Sequence, residues 1–291
     1  MELKSEVILT PPRDASTVVL LRDAPQGLEV FLVKRHGLSD VLGGAYVFPG
    51  GKLDASDAEL VEQAHLDQTS ETLHAALGEP EMAPLQAKGL FVAALREAFE
   101  ESGVLFADNA DPETTRQAMQ LMRDGVPFNQ ILATLSLRLN TRAVAPWVRW
   151  ITPKMASVST KRFDTRFFVA AIPHTQVARH DDFETTESVW LSPRAALEQY
   201  WARSIELAPP QIMSLSHLAR HNRVDTVLAE ARAQMPPLIC PEPHNANGER
   251  VLCYPGDTGH SIAQRALPGP TRLIYRNRRF EPTEGLEALF Q

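Results

Sequence analysis

Residues 84 to 102, PLQAKGLFVAALREAFEES, constrain this chain more than any other stretch. The pattern predicts an α-helix closed by Gly103 as its C-cap. At 100° per residue, Phe91, Val92, Leu95, Ala98 and Phe99 fall within one arc of roughly 120°. Arg96, Glu97, Glu100 and Glu101 fill a separate arc. Glu97 precedes Glu100 by three residues and Glu101 by four, the neighbour spacings on a helix surface. One face is therefore core, and the other brings three carboxylates within reach of a single point.

Like charges so close repel, and a hard divalent cation reverses that sign. Arg96, one turn before Glu100, can hold a carboxylate by a charge-assisted contact. Upstream, Phe48-Pro49-Gly50-Gly51 makes a sharp turn, where glycine lets backbone come close to a metal or phosphate.

The rest of the chain supplies a scaffold. Ser16 to Arg22 and Glu29 to Lys34 read as strands of a hairpin, with Ala24-Pro25-Gln26-Gly27 as its turn. Tyr46-Val47-Phe48 reads as a third strand. Residues 58 to 78, about 112–124 and 128–138 read as helical. Strands are expected at about 143–151, over Phe167 to Ile172, and up to Val189-Trp190-Leu191. Ser192 is then an N-cap with Pro193 at the first helical position. A further helical region starts at Pro209-Pro210 and runs to Gln234, broken near His221. From Pro236 the texture turns proline- and glycine-rich with short strands. This divides the chain into a main domain, 1–235, with helical insertions at about 58–86 and 105–140, and a β-rich extension, 236–284. Gly285 to Gln291 resembles the remnant of a viral-protease cleavage site and is set aside from the fold. That places the natural C-terminus near Glu284.

These segments carry a resemblance. GGKLDASD, followed later by REAFEESGV, is similar to a split Nudix box, the pattern of G, five residues, E, seven residues and REUxEExGU, with U a bulky aliphatic. Gly51 matches the first glycine, and Asp57 stands where the first glutamate is expected. Arg96 to Val104 matches the second half, with Ala98 smaller than usual. Thirty-eight residues separate Asp57 from Arg96 where the family has seven. A long excursion costs only slowly growing closure entropy, so the two halves are expected to meet at one metal.

The resemblance implies an α/β Nudix fold: an α/β/α sandwich with a mixed sheet, a helical insertion and a C-terminal extension. It implies Mg²⁺- or Mn²⁺-assisted hydrolysis of a diphosphate bond. The expected ligands are Glu97, Glu100, Glu101 and the Gly51 carbonyl, with Arg96 positioning. GAYVFPGGKLDASD, the long insertion, Trp150-Ile151-Thr152-Pro153, RFDTRFF at 162–168 and Leu207-Ala208-Pro209-Pro210-Gln211 resemble the nineteenth-type branch, whose animal members are coenzyme A diphosphatases. CoA or acyl-CoA is then the expected substrate, giving 3′-phospho-AMP and 4′-phosphopantetheine. The alternatives are an ADP-ribose or dinucleotide diphosphatase and a non-catalytic Nudix-like module binding a nucleotide or a protein. Other CoA-cleaving Nudix enzymes want an arginine eight residues before the phenylalanine of FPGG. Here that position is Asp40, with Arg35 nearby.

Glu184 and Glu187 precede Trp190, where the family often keeps a general base, and Glu187 is preferred. Arg35, Phe48, Arg162 and Arg166 are candidate substrate contacts, a guanidinium being suited to fork onto phosphate oxygens. A strand entry is the alternative for RFDTRFF, and simple packing is favoured for Trp147 and Trp150. Cys240, His244, Cys253 and His260 are too loosely spaced to favour zinc.

Composition narrows the partners. The net charge of −7 over 291 residues, with signs interspersed, argues against nucleic acid, which demands a basic footprint. A small nucleoside-diphosphate substrate remains compatible. No run of 18 apolar residues exists to span a membrane. The N-terminus lacks a signal-peptide core, and two cysteines make no disulfide framework, so a reducing cytoplasm is expected. A homodimer is left open.

Overall fold

A computed structural model describes residues 7–37, 42–155, 161–180, 185–246 and 248–291. Asp40 and Glu184 lie outside these residues. Along the chain run β1 (Arg13–Ala24), β2 (Gly27–Arg35), β3 (Tyr46–Val47) and β4 (Gly50–Lys52). Four helices follow: α1 (Ala55–Glu59), α2 (Glu62–His65), α3 (Ser70–Leu77) and α4 (Pro84–Ser102). Next come β5 (Ala107–Asp108), α5 (Pro112–Arg123), α6 (Phe128–Thr134), β6 (Arg138–Leu139), β7 (Val144–Ile151), β8 (Phe163–Ala171) and β9 (Thr185–Leu191). The last part holds α7 (Pro193–Trp201), α8 (Pro209–Leu218), α9 (Val224–Ala233) and the strands β10 (Leu238–Ile239), β11 (Glu242–Ala246), β12 (Glu249–Cys253), β13 (Arg272–Arg276) and β14 (Arg279–Glu281).

The main sheet is mixed and runs β10-β7-β8-β1-β2-β3. β1 pairs parallel with β8 and antiparallel with β2, as the hairpin reading requires. β1 divides one edge between two partners. Residues 21–24 pair with β2, while residues 15–17 pair with β4. That division lays the Gly50-Gly51 turn beside the start of β1.

Strand alternation sorts the core into two layers. Val18, Leu20, Phe31 and Val33 face α4, packing with Leu90, Phe91 and Leu95. Val19, Leu21, Val30 and Leu32 face the opposite layer, with Ile212 and Leu215 of α8 and Val227 of α9. The result is the expected α/β/α sandwich.

Three expectations change. The helix foreseen at 58–78 is three short helices, because Leu60 and Leu66 leave helical geometry to bury their side chains. The Glu62 carboxylate then accepts the Ser70 N–H at 2.8 Å and fixes the start of α3. The helix foreseen at 128–138 stops at Thr134, and Arg138–Leu139 pairs with β5 instead. The C-terminal residues set aside from the fold are packed into it. Leu289 is fully buried, and the Ser216 hydroxyl donates to its carbonyl at 2.5 Å. The extension also shares the main core, since Leu252, Tyr254, Leu273 and Phe280 belong to the α8–α9 layer and β10 joins the main sheet. Among the described residues, no helix is long and apolar enough to cross a membrane.

Candidate active site

The polar arc of α4 is not a wet face. Arg96, Glu97 and Glu101 are 7%, 8% and 3% exposed, and the Glu100 side chain is the open one at 35%. Gly103, at φ +71°, ends the helix in the left-handed geometry foreseen, which sets the last turn at the edge of a cavity.

Arg96 organises this arc. Its Nε and Nη2 donate to the two Asp57 oxygens at 2.9 and 3.0 Å, and Nη1 donates to Glu97 at 2.7 Å and Glu100 at 2.8 Å. Nη2 also donates to the Lys52 carbonyl at 3.0 Å. Burial opposes the guanidinium charge, but the hydrogen bonds to Asp57 and the fields of Glu97, Asp57 and Glu100 outweigh it and raise the Arg96 pKa. Asp57 is fully buried and also accepts the Asp54 N–H at 2.9 Å, which pins the start of α1. A shorter acid thus suffices here, because α1 carries it to the arginine.

The two halves of the split motif meet. The Gly50 N–H donates to Glu101 at 3.0 Å. A Cβ placed on Gly51 would lie 2.2 Å from Glu97 Oε1, so glycine is needed for this approach. Residues 52–86 therefore leave the fold and return beside their point of departure. The site fits a divalent cation: three carboxylates converge beside a glycine backbone, giving an all-oxygen donor set suited to a hard ion. Glu97, Glu100, Glu101 and the Gly51 carbonyl are the groups that could hold it.

The carboxylates line one side of a cavity of about 1490 Å³. Phe48, Trp150 and Phe167 line it with aromatic side chains, and Arg35 lines it too. Phe48 meets Phe167 edge-on at 6.3 Å. Trp150 both packs and lines the cavity, whereas Trp147 is buried against His217 with ring centroids 5.0 Å apart.

Other expected contacts lie elsewhere. On β8 the cavity is lined by Phe163, Thr165 and Phe167, so alternation turns Arg166 to the far face. There its guanidinium binds Glu79 at 2.6 Å, with Asp14 at 2.5 Å and Asp164 at 3.4 Å. Arg162 donates to the Thr152 carbonyl at 2.9 Å, holding a strand entry rather than facing the cavity. Glu187 sits in β9, paired across the strand with Lys34 at 3.2 Å, and is not among the cavity-lining residues. Hydrogen bonds from Tyr46 and Lys34 hold its carboxyl below the usual range. Near the C-terminus, His260 Nε2 lies 3.0 Å from the Cys240 carbonyl, and burial raises the Cys253 thiol to about 11.

Sequence reasoning missed Arg13, Lys52, Lys161, Arg179 and His180 on the cavity wall, and Arg116 and Arg123 of α5. Arg13 could have been found, since it shares strand parity with Ala15 and Thr17. Lys52 could too, since it follows Gly51 directly in the motif; Arg116 and Arg123 reach the cavity only through the tertiary path of the insertion that holds α5.

The sequence profile of the NUDT19 Nudix domain matches residues 6–218. A putative nudix hydrolase 7 of Caenorhabditis elegans is 26% identical over 94% of this chain and 82% of its own length. The acyl-coenzyme A diphosphatase NUDT19 of Xenopus laevis is 28% identical over 65% of this chain. The match spans 59% of that relative's length. A crystal structure of a Nudix hydrolase from Alicyclobacillus acidocaldarius is 27% identical, with a TM-score of 0.59, covering 78% of this chain and 98% of the other. With the split motif closed around Arg96 and the profile matching most of the chain, this protein belongs to the Nudix hydrolases, in the branch defined by the NUDT19 Nudix domain.

Proposed function

We propose that this chain hydrolyses the diphosphate bond of coenzyme A or an acyl-CoA, giving 3′-phospho-AMP and 4′-phosphopantetheine, with Mg²⁺ or Mn²⁺. The observation that carries this is a carboxylate cluster opening onto a large cavity lined with basic residues. At about 1490 Å³ the cavity exceeds the roughly 300–1,000 Å³ of ordinary small-molecule sites. A pantetheine arm beyond the nucleotide needs that additional volume. Three phosphate groups, two in the diphosphate and one on the ribose, suit basic side chains such as Arg13, Lys52, Arg123, Lys161 and Arg179 along the walls.

Glu97, Glu100, Glu101 and the Gly51 carbonyl would hold the divalent ion. When bound, the ion supplies charge neutralisation for the diphosphate and acidifies a water. Arg96 fixes the carboxylates in place, with Asp57 anchoring it from behind. A carboxylate of the α4 cluster takes a proton from the attacking water. Phe48 and Trp150, both buried, back the cavity wall as apolar packing. Arg35, which also lines the cavity, would meet a phosphate.

Comparing kcat/KM for CoA, an acyl-CoA and ADP-ribose with Mg²⁺ and with Mn²⁺ tests this. A clear preference for CoA or its thioester is expected. A preference for ADP-ribose rejects the CoA assignment while keeping the reaction class, and no turnover of any diphosphate rejects catalysis.

A further inference from the structure

A second group of ligating side chains lies away from the α4 carboxylates, where α8 meets α9. His217 ends α8, His221 lies in the turn that follows, and Glu230 comes from α9. Their ligand atoms lie within 4.8 Å of one another. His217 Nε2 is 2.6 Å from Glu230 Oε1, and His221 Nε2 is 3.1 Å from Glu230 Oε2. The two imidazoles are about nine-tenths buried, and Glu230 is about one-third exposed.

Hydrogen bonding fixes which nitrogen of His221 can bind. The Thr226 hydroxyl donates its one proton to the Arg223 carbonyl at 2.7 Å. It must therefore accept from His221 Nδ1, 3.0 Å away. In the neutral ring, His221 Nε2 is then a bare lone pair aimed at a carboxylate oxygen. Such a pair is held by a cation between the two atoms, either a proton on Nε2 or a metal ion. Burial disfavours a charged His217, whose ring packs on Trp147 and whose Nδ1 is buried with no hydrogen-bond partner. Arg220, next to His221, turns its guanidinium onto the Ser216 carbonyl at 2.7 Å.

We propose that His217, His221 and Glu230 form a second metal site, for a Zn²⁺-class ion, clamping α8 to α9. Two imidazole nitrogens and one carboxylate suit zinc rather than magnesium, which prefers oxygen ligands. Ligand atoms about 2.0–2.1 Å from a tetrahedral zinc sit about 3.3 Å apart, so His217 and Glu230, now 2.6 Å apart, would separate slightly to admit the ion. Tying His221 on the turn to Glu230 holds α9 against α8. The same α8 begins with Pro209, Pro210 and Gln211 on the wall of the large cavity, so the clamp also steadies that wall. The inference is independent of the diphosphatase reading, because none of the three residues lines the cavity.

The test uses the full chain, freed of metal by a chelator and then held in excess Mg²⁺ so that the α4 carboxylates do not compete. Zinc is added and bound metal counted after dialysis, beside thermal melting. One tightly held equivalent is expected, with a Tm rise of about 5 °C at a hundredfold excess over Kd. Glu100→Gln should keep this equivalent, whereas His221→Gln and Glu230→Gln should lose it while retaining turnover. Co²⁺ replaces zinc in the unmutated chain and reads the geometry without any variant. Intense visible absorption, marking nitrogen-containing tetrahedral coordination, is expected. No bound zinc, zinc retained in both His221→Gln and Glu230→Gln, or a weak octahedral Co²⁺ spectrum overturns the proposal.

Discussion

Arg166 and Arg96 are both buried, and both gather carboxylates, yet their surroundings differ. Around Arg166, a second guanidinium, Arg149, shares Glu79 and Asp164, and Asp14 completes the group. Two cations meet three carboxylates on the face of β8 turned from the cavity. Around Arg96 stand Asp57, Glu97 and Glu100, with Glu101 beside them on the Gly50 N–H. There the carboxylates outnumber the guanidinium that orders them, and Glu97, Glu100 and Glu101 line the cavity. Burying a charge costs several kcal/mol unless partners and hydrogen bonds compensate. The first group nearly balances within the protein and is architecture. The second keeps an excess of negative charge, which a divalent cation would complete on the proposed reading.

The largest effect expected from this contrast is on stability. Arg166→Met leaves Glu79, Asp14 and Asp164 with fewer partners in a buried place, which typically costs about 3–5 kcal/mol. A fall in Tm of roughly 10 °C is expected by calorimetry. The folded fraction should keep the KM of the unaltered enzyme, since Arg166 does not line the cavity. A raised KM with an unchanged Tm would make Arg166 a substrate contact after all.

Glu100→Gln tests the other half. The amide oxygen can still accept from Arg96, and the side chain is partly exposed, so Tm without metal should stay within about 1 °C. Replacing an anionic ligand by a neutral one should lower kcat at least about a hundredfold, equivalent to about 2.7 kcal/mol in the barrier. Normal turnover by a normally folded variant would reduce these carboxylates to a structural cluster like that around Arg166.

Gly51→Ala has a smaller effect. The new methyl group displaces the end of the flexible Glu97 side chain, so stability should fall by only about 1 kcal/mol. A displaced ligand should raise the Mg²⁺ concentration for half-maximal activity about tenfold, or about 1.4 kcal/mol. Metal titration of initial rates checks this, and an unchanged midpoint separates Glu97 from the ion.

The same two clusters mark what could be read from sequence. The α4 carboxylates were legible because helix spacing is local: three and four residues apart means one face. The hairpin of β1 and β2 was legible for the same reason, its turn residues being adjacent. RFDTRFF was harder. Period-two alternation puts Arg166 opposite Phe163, Thr165 and Phe167, but it does not say which face holds the cavity. The partners of Arg166 are 87 and 152 residues away, in elements only the tertiary fold brings near. Residues 58–78 misled because Leu60 and Leu66 keep a hydrophobic pattern while their backbone leaves the helix. The pair of histidines before Glu230 was hidden by the break between α8 and α9.

The smallest expected effect sharpens the boundary of the site. Glu187 is the residue sequence position favours as general base, yet its side chain is 54% exposed and pairs with Lys34 across two strands. The hydrogen bonds from Tyr46 and Lys34 lower its pKa, so it keeps its charge to lower pH and holds a captured proton less well. Proton abstraction gains from a base whose pKa lies near the working pH, and this shift moves Glu187 away from it. The ion pair is exposed and contributes little to stability. Glu187→Gln should therefore change kcat by less than about threefold, within the range of an ordinary surface substitution. The pH–rate profile should keep its acidic limb, because the proposed mechanism assigns that limb to the α4 cluster. A loss of two orders of magnitude, with the acidic limb gone, would return the role of base to Glu187. It would also require β9 to shift so that this carboxylate reaches the cavity in the working enzyme.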